Sequence, residues 1–160
     1  MADLLVHFAS GFAAGRPLRD GRLRAILYLG VCLPDLLYKG LLYLGGASNW
    51  LCEPTHSPLG LVLYCYAASL LFEEEWRKRA FAALLGGSWL HVLFDLGKNY
   101  LGSGVILWAF PFSMDRIELG WYGNEDSIYF MLPALGVILL TEIAGRMFAR
   151  ISGRRGSPSP

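Results

Sequence analysis

Apolar residues run along this chain in long blocks with little alternation, and four blocks have the length of a membrane span: roughly 24–44, 57–75, 80–97 and 127–147. Each is near the ~20 residues that a helix needs to cross a ~30 Å hydrocarbon core. A fifth block, residues 2–15, is shorter. It suits a tilted or re-entrant helix packed on the others, with Gly11 and Gly15 as a small-residue face for close approach. The pattern predicts an all-α membrane bundle of four transmembrane helices plus a short N-terminal apolar helix. Residues 1–150 form one transmembrane domain in this reading, and 151–160, a run of small, polar and Pro residues, form a disordered cytoplasmic tail. The opening MADLLVHFASGFAAG has Asp3 where a signal peptide is basic and His7 inside its apolar stretch, so it reads as retained.

Basic residues orient the spans. They cluster at Arg16, Arg19, Arg22 and Arg24, at Arg77, Lys78 and Arg79, and at Arg146, Arg150, Arg154 and Arg155. The positive-inside rule puts all three clusters in the cytoplasm. The spans then alternate in direction, with the C-terminus cytoplasmic and loops 45–56 and 98–126 on the far side. Trp108, Trp121 and Tyr122, set among Gly and Pro residues, suit 98–126 to a partly ordered interfacial cap.

Composition agrees: 54% of residues are apolar or aromatic and only 17% charged, too little polar surface for a soluble domain of 160 residues. The net charge of +1 points to no nucleic-acid partner. Cys32, Cys52 and Cys65 are odd in number and lack CxxC spacing, which indicates neither a disulfide framework nor a zinc knuckle.

Against this background the costly residues are His7, Asp35, Lys39, His56, His91, Asp95 and Glu142, because an ionisable group at membrane depth costs ~2.5–3.5 kcal/mol on insertion scales. Glu142 has a structural partner in Arg146, four residues on along one helical face. Asp35 follows Pro34, and a proline in mid-span frees the carbonyl one turn earlier, a local break where polar groups gather. Asp35 also has Lys39 four residues on as a simple ion-pair partner. His91 and Asp95 stand at i and i+4 on one helix face, a spacing that serves metal ligation or a buried His–Asp hydrogen bond. His56 lies in EPTHSPLG, where Thr55 or Ser57 caps the next helix; it is either an interfacial histidine or a ligand.

Depth separates these readings. At ~1.5 Å per residue from the cytoplasmic arginines, Asp35 is roughly 16 Å up from Arg24, His91 roughly 18 Å from Arg79 and His7 roughly 13 Å from Arg16. The three share a layer. Asp95 is one turn further out, and His56 joins them only if its helix begins in a recess. Three histidines and two carboxylates in the outer half of a bundle suit a divalent metal ion, zinc first.

The ordered set VHFASG, CLPD, PTHS and SWLHVLFDLGKNYLGSGVILWAFPFS, over residues 5–113, resembles the membrane-bound metal-dependent hydrolases, small bacterial inner-membrane proteins that include the LexA-regulated hydrolases. The resemblance implies His7, Asp35, His56, His91 and Asp95 as metal ligands or site residues. The family's His-Arg-Gly run before Thr-His-Ser is replaced here by Leu51, Cys52 and Glu53, so either Glu53 substitutes for a missing contact or the site has lost part of its activity. The function expected is hydrolysis of a lipid or lipid-linked phosphoester from the outer leaflet of the inner membrane. Its catalytic residues would be Asp95, His91 and Glu53, with Lys98, Asn99 and Ser57 contacting substrate. Lys98 has a second reading, snorkelling to the interface. The competing functions are a metal-ion transporter or sensor and a non-catalytic membrane scaffold.

The topology carries its own test, cysteine-accessibility labelling of a probe placed in 98–126. Labelling from outside is the expected outcome, and labelling only from the cytoplasm overturns the scheme.

Overall fold

The computed structural model describes residues 2–99, 106–123, 126 and 129–155. Its helices are α1 (Ala2–Gly15), α2 (Gly21–Lys39), the one-turn α3 (Asn49–Cys52), α4 (Pro58–Ser69), α5 (Glu74–Leu96) and α6 (Met131–Arg155). A π-helical turn, Gly40–Leu44, prolongs α2, and a 3-10 turn, Glu53–His56, joins α3 to α4. Beyond α5 the strands are short. β1 (Lys98–Asn99) pairs in parallel with β4 (Tyr122–Gly123), and β2 (Ile106–Leu107) pairs antiparallel with β3 (Arg116–Ile117). The architecture is helical, with this small paired cap.

The helices begin where the sequence offers caps. Asp20 Oδ1 accepts from the backbone N–H of Arg22 at 2.8 Å and so starts α2. Ser57 Oγ accepts from Gly60 N at 3.0 Å, and Pro58 takes the first helical position of α4, where its missing N–H costs nothing.

The central packing is α2 against α5. Pro34 lies buried inside α2 and donates no hydrogen bond, which leaves the Gly30 carbonyl without its helical partner. Ser88 Oγ on α5 donates to that carbonyl at 2.9 Å. One residue on, the Val31 carbonyl accepts from His91 Nδ1 at 2.8 Å. Ser88 and His91 are three apart and share a face of α5, so one face serves both bonds. The backbones approach this closely because Gly30 and Gly87 meet at the crossing. A Cβ on Gly30 would lie 2.3 Å from the Leu84 carbonyl oxygen, and one on Gly87 would lie 2.2 Å from that of Leu27. Around this seam Ile26, Cys65, Ala80 and Leu84 form one buried cluster, and Leu61, Val92 and Ile106 a second nearer the cap. α1 packs on α2 and α6.

Two helices are long and apolar enough to cross a membrane by length and composition: Gly21–Leu44 and Met131–Phe148. They answer to the spans expected at 24–44 and 127–147, although 127 and 128 lie outside the described residues. The other two expected spans differ. In place of 57–75, α4 is a 12-residue helix, ~18 Å long, that ends at Ser69. The residues after it, 70–73, turn into α5, and the 3-10 turn before it carries His56 inward. In place of 80–97, α5 starts six residues earlier, and every 18-residue stretch of it contains Arg79, which lowers its hydropathy below that of a typical span. At the other end α6 continues through Arg155, past the expected domain limit at 150, while residues 156–160 lie outside the described residues.

The glycine pair on α5 gives a direct test of the crossing. Nothing lies within 4 Å of a Cβ built on Gly86, whereas one on Gly87 meets α2 backbone, which cannot swing aside. Gly86→Ala should keep the thermal midpoint in detergent or raise it slightly, because Ala is the better helix former, and Gly87→Ala should destabilise by about 1–3 kcal/mol. Equal midpoints for the two variants would refute the α2–α5 packing.

Candidate metal centre

Five side chains from four segments converge beside the crossing. Asp95 is the hub: its Oδ1 is 3.2 Å from His7 Nε2, and its Oδ2 is 3.0 Å from His91 Nε2 and 3.6 Å from His56 Nε2. Asp35 Oδ1 closes the other side, 3.8 Å from His91 Nε2 and 3.9 Å from His56 Nε2. The His7 ring, from α1, stacks on His91 with centroids 3.9 Å apart. His7, His56, His91 and Asp95 are all buried, and Asp35 is the most exposed of the five, at 19%.

The hydrogen bonds decide which nitrogens face inward. A carbonyl only accepts, so His91 Nδ1 carries the proton it gives to Val31 O, and in neutral His91 the lone pair is on Nε2, toward Asp95. At His56 the Thr55 hydroxyl spends its single proton on the Cys52 carbonyl at 2.7 Å. It must therefore accept from His56 Nδ1, 3.0 Å away, which again leaves the Nε2 lone pair facing the carboxylates. These tautomers follow from the partners. With both rings neutral, the His91 Nε2 lone pair thus faces Asp95 Oδ2 at 3.0 Å with no proton between them, and that of His56 faces the same oxygen at 3.6 Å. In agreement, His91 Nε2 is a buried atom with no hydrogen-bond partner among the described residues; His7 Nδ1, the nitrogen of its ring not turned to Asp95, is another.

That geometry fits a divalent cation. Zinc bonds of ~2.0–2.1 Å in a tetrahedron set neighbouring ligand atoms roughly 3.3–3.4 Å apart, and the five contacts here run from 3.0 to 3.9 Å. Two overlapping triads, His7–His91–Asp95 and Asp35–His56–His91, each bring their ligand atoms within 4.8 Å of one another. Hydrogen bonds from the far nitrogen of His56 and His91 orient the rings as bound imidazoles are oriented.

Other candidate residues sit differently. Glu53 is turned to the cap, where Arg116 Nη2 faces both its oxygens at 2.8 and 2.7 Å. Ser57 donates to Pro54 O at 2.7 Å while capping α4. Lys98 is buried, 3% exposed, and its ammonium meets Asp95 Oδ1, so it does not snorkel to the interface. Asn99 is exposed in β1. Asp35 also holds Lys39 at 2.7 Å, so the ion pair expected from the i,i+4 spacing coexists with its place in the cluster. Glu142 pairs with Arg146 at 2.9 Å as its spacing predicts, and with Arg16 at 3.1 Å as well.

Sequence reasoning missed the roles of Ser88, the Val31 carbonyl and Arg116. Only the proline at 34 hinted at the freed carbonyls, and nothing in the local sequence links Arg116 to Glu53. Thr55 was read as a helix cap; it is the residue that fixes the His56 tautomer.

Fold and cluster together define a helical membrane protein with a buried His–Asp centre. The chain belongs to the YdjM inner membrane protein family, whose model matches residues 1–155. Comparison with curated proteins and with solved structures finds no match.

The orienting role of Thr55 predicts that Thr55→Val weakens Zn²⁺ binding about 10–100-fold, with Thr55→Ser close to wild type. Competition titration against a chromophoric chelator reads both. Equal affinity in Thr55→Val and wild type would remove His56 from the ligand set.

Proposed function

We propose that this protein is a membrane-embedded metal-dependent hydrolase that holds a divalent ion, zinc by preference, with His7, His56, His91, Asp35 and Asp95. The observation that carries the reading is the pair of fixed tautomers. Two buried imidazoles are each held by Nδ1 so that, with the rings neutral, a bare Nε2 faces carboxylate, an arrangement that is repulsive without a cation. Transition-metal donors of this kind, nitrogen with carboxylate oxygen, favour zinc over magnesium or calcium. A divalent ion held there supplies Lewis acidity that activates water and polarises an ester oxygen. The residues themselves orient the ligand set and shield it from bulk water. Asp35, the most exposed of the five, gives the direction of approach.

The membrane arrangement belongs to the same proposal. The chain crosses four times, with α4 completed by α3 and the 3-10 turn, and with α5 crossing despite Arg79 because its Ser88, His91 and Asp95 face protein. Exposed Leu63 and Tyr66 on α4 and Leu93 on α5 support lipid contact for both helices. The cluster then lies in the outer half, under a cap rich in exposed apolar rings such as Trp108, Phe112 and Trp121. This placement favours a lipid or lipid-linked phosphoester as substrate, with Lys98 and Asn99 at the cap side of the cluster.

One observation favours a second reading. Lys39 and Lys98 already meet the two carboxylates, so the cluster has cationic partners without an ion and can act as a polar joint between helices. Metal analysis of detergent-purified wild type beside His91→Ala, followed by turnover of a panel of lipid phosphoesters, separates the two. The expected result is zinc in wild type, background metal in His91→Ala and an activity about 100-fold or more lower in Asp95→Asn. Metal-free wild type would establish the joint. Metal-loaded wild type that matches both variants on every substrate would end the hydrolase reading.

A further inference from the structure

At the arginine end of the helices, away from the His–Asp cluster, α1, the α1–α2 linker and α6 border an open cavity of about 890 Å³. Arg16, Arg19 and Arg24 line it together with apolar side chains, Leu18, Leu140 and Phe148 among them. The charges do not cancel. Glu142 is the nearby carboxylate, and it is engaged by Arg16 at 3.1 Å and by Arg146 at 2.9 Å. Asp20 accepts the backbone N–H of Arg22 and caps α2. Arg22 itself leaves the cavity, stacking on Trp76 at 4.3 Å and reaching Glu73. Arg19 has no ion-pair partner among the described residues, and Arg24, which feels Glu142 only at longer range, has none in contact; both line the same cavity. Next to it the outer face of α6 is an apolar strip: Leu139, Leu140, Ile143 and Phe148 are exposed by 53–76%.

Two guanidiniums without a contacting carboxylate beside such a strip match one kind of molecule, a phosphodiester headgroup with acyl chains attached. Guanidinium presents a fork of donors that suits phosphate oxygens, and it does so best where water is partly excluded. A free anion would use the arginines and leave the strip bare, and a neutral lipid would leave the charges uncompensated. We propose that this cavity is a binding site for an anionic phospholipid of the arginine-side leaflet, its phosphate held by Arg19 and Arg24 and its chains lying along α6. The site is distinct from the His–Asp centre and does not depend on hydrolysis there.

The test uses the full chain in a neutral detergent, titrated with short-chain phosphatidylglycerol, short-chain phosphatidylcholine and inorganic phosphate, with binding read by native mass spectrometry. Wild type should bind phosphatidylglycerol at least about tenfold more tightly than either comparator. An Arg19→Gln/Arg24→Gln variant should lose that preference, while Arg77→Gln/Lys78→Gln, which removes the same charge from a second basic cluster, should keep it. Circular dichroism and size-exclusion profiles matching wild type qualify each variant, and Leu140→Trp, which fills the cavity without changing charge, gives an independent loss of binding. The proposal is overturned by equal losses in the two double variants, which would mean diffuse surface charge, or by phosphate binding as tightly as the lipid. A wild-type dimer that dissociates in the Arg19→Gln/Arg24→Gln variant would equally overturn it, with a second copy as the occupant.

Discussion

The constraint on which the rest of the molecule depends is that α2 lacks a hydrogen-bond donor at Pro34. In a membrane an unpaired carbonyl is costly, since no water reaches it. The Gly30 oxygen freed by Pro34 has to find a donor, and Ser88 supplies it from α5. His91 then bonds the next carbonyl along. Both bonds need the two backbones nearly touching, which Gly30 and Gly87 allow. The same crossing that satisfies the backbone therefore sets the height and rotation of His91 and, one turn on, of Asp95. The cluster is positioned by backbone accounting before any of its own attractions act.

Burial of two carboxylates among three imidazoles needs compensation, and the compensation is distributed over several elements. α1 contributes His7, α2 contributes Asp35 with Lys39, the 3-10 turn contributes His56, and α5 with the first cap strand contributes His91, Asp95 and Lys98. α2 apart, these elements and the α4 they pack against are too short or too polar to sit alone in lipid with such a residue exposed. α4 is 12 residues long and α5 carries Arg79. Their polar faces are tolerable only when turned toward one another, so the cluster and the packing of the weaker helices depend on each other.

Much of this was legible in the sequence because an apolar background makes each ionisable residue conspicuous. Counting rise along the helices puts His7, Asp35 and His91 in one layer, and the three meet there. The proline before Asp35 pointed to a break in the span; α2 instead runs through it unbroken, and α5 supplies the donor that Pro34 lacks. What the sequence left open are contacts between distant segments. His56 reaches the centre because the 3-10 turn folds into a recess, and a Cβ on Gly60 would lie 2.0 Å from the Pro54 carbonyl, a closeness no periodicity encodes. The shortness of α4 arises at its other end, where the chain turns at 70–73 into α5 instead of continuing to 75. Glu53 looked like a stand-in for a missing site residue because of where it falls in the motif; its actual partner, Arg116, is 63 positions away.

That last pair bears on how the cap takes part. Glu53 starts the 3-10 turn whose last residue is His56, and Arg116 belongs to β3 in the cap. An ion pair as exposed as this contributes at most about 1 kcal/mol, too little to matter for global stability. Its position matters more than its strength. The cap is also tied to the end of α5, where Trp121 N donates to the Gly97 carbonyl at 2.8 Å and Tyr122 Oη to that of Phe94 at 2.5 Å. The cap therefore grips both the turn that carries His56 and the helix end that carries Asp95. Departure of the cap from α5 would release both grips at once, and the two residues that face each other across 3.6 Å would lose their common frame. A small cap with little hydrophobic core of its own is thereby linked to the geometry of the buried cluster beneath it.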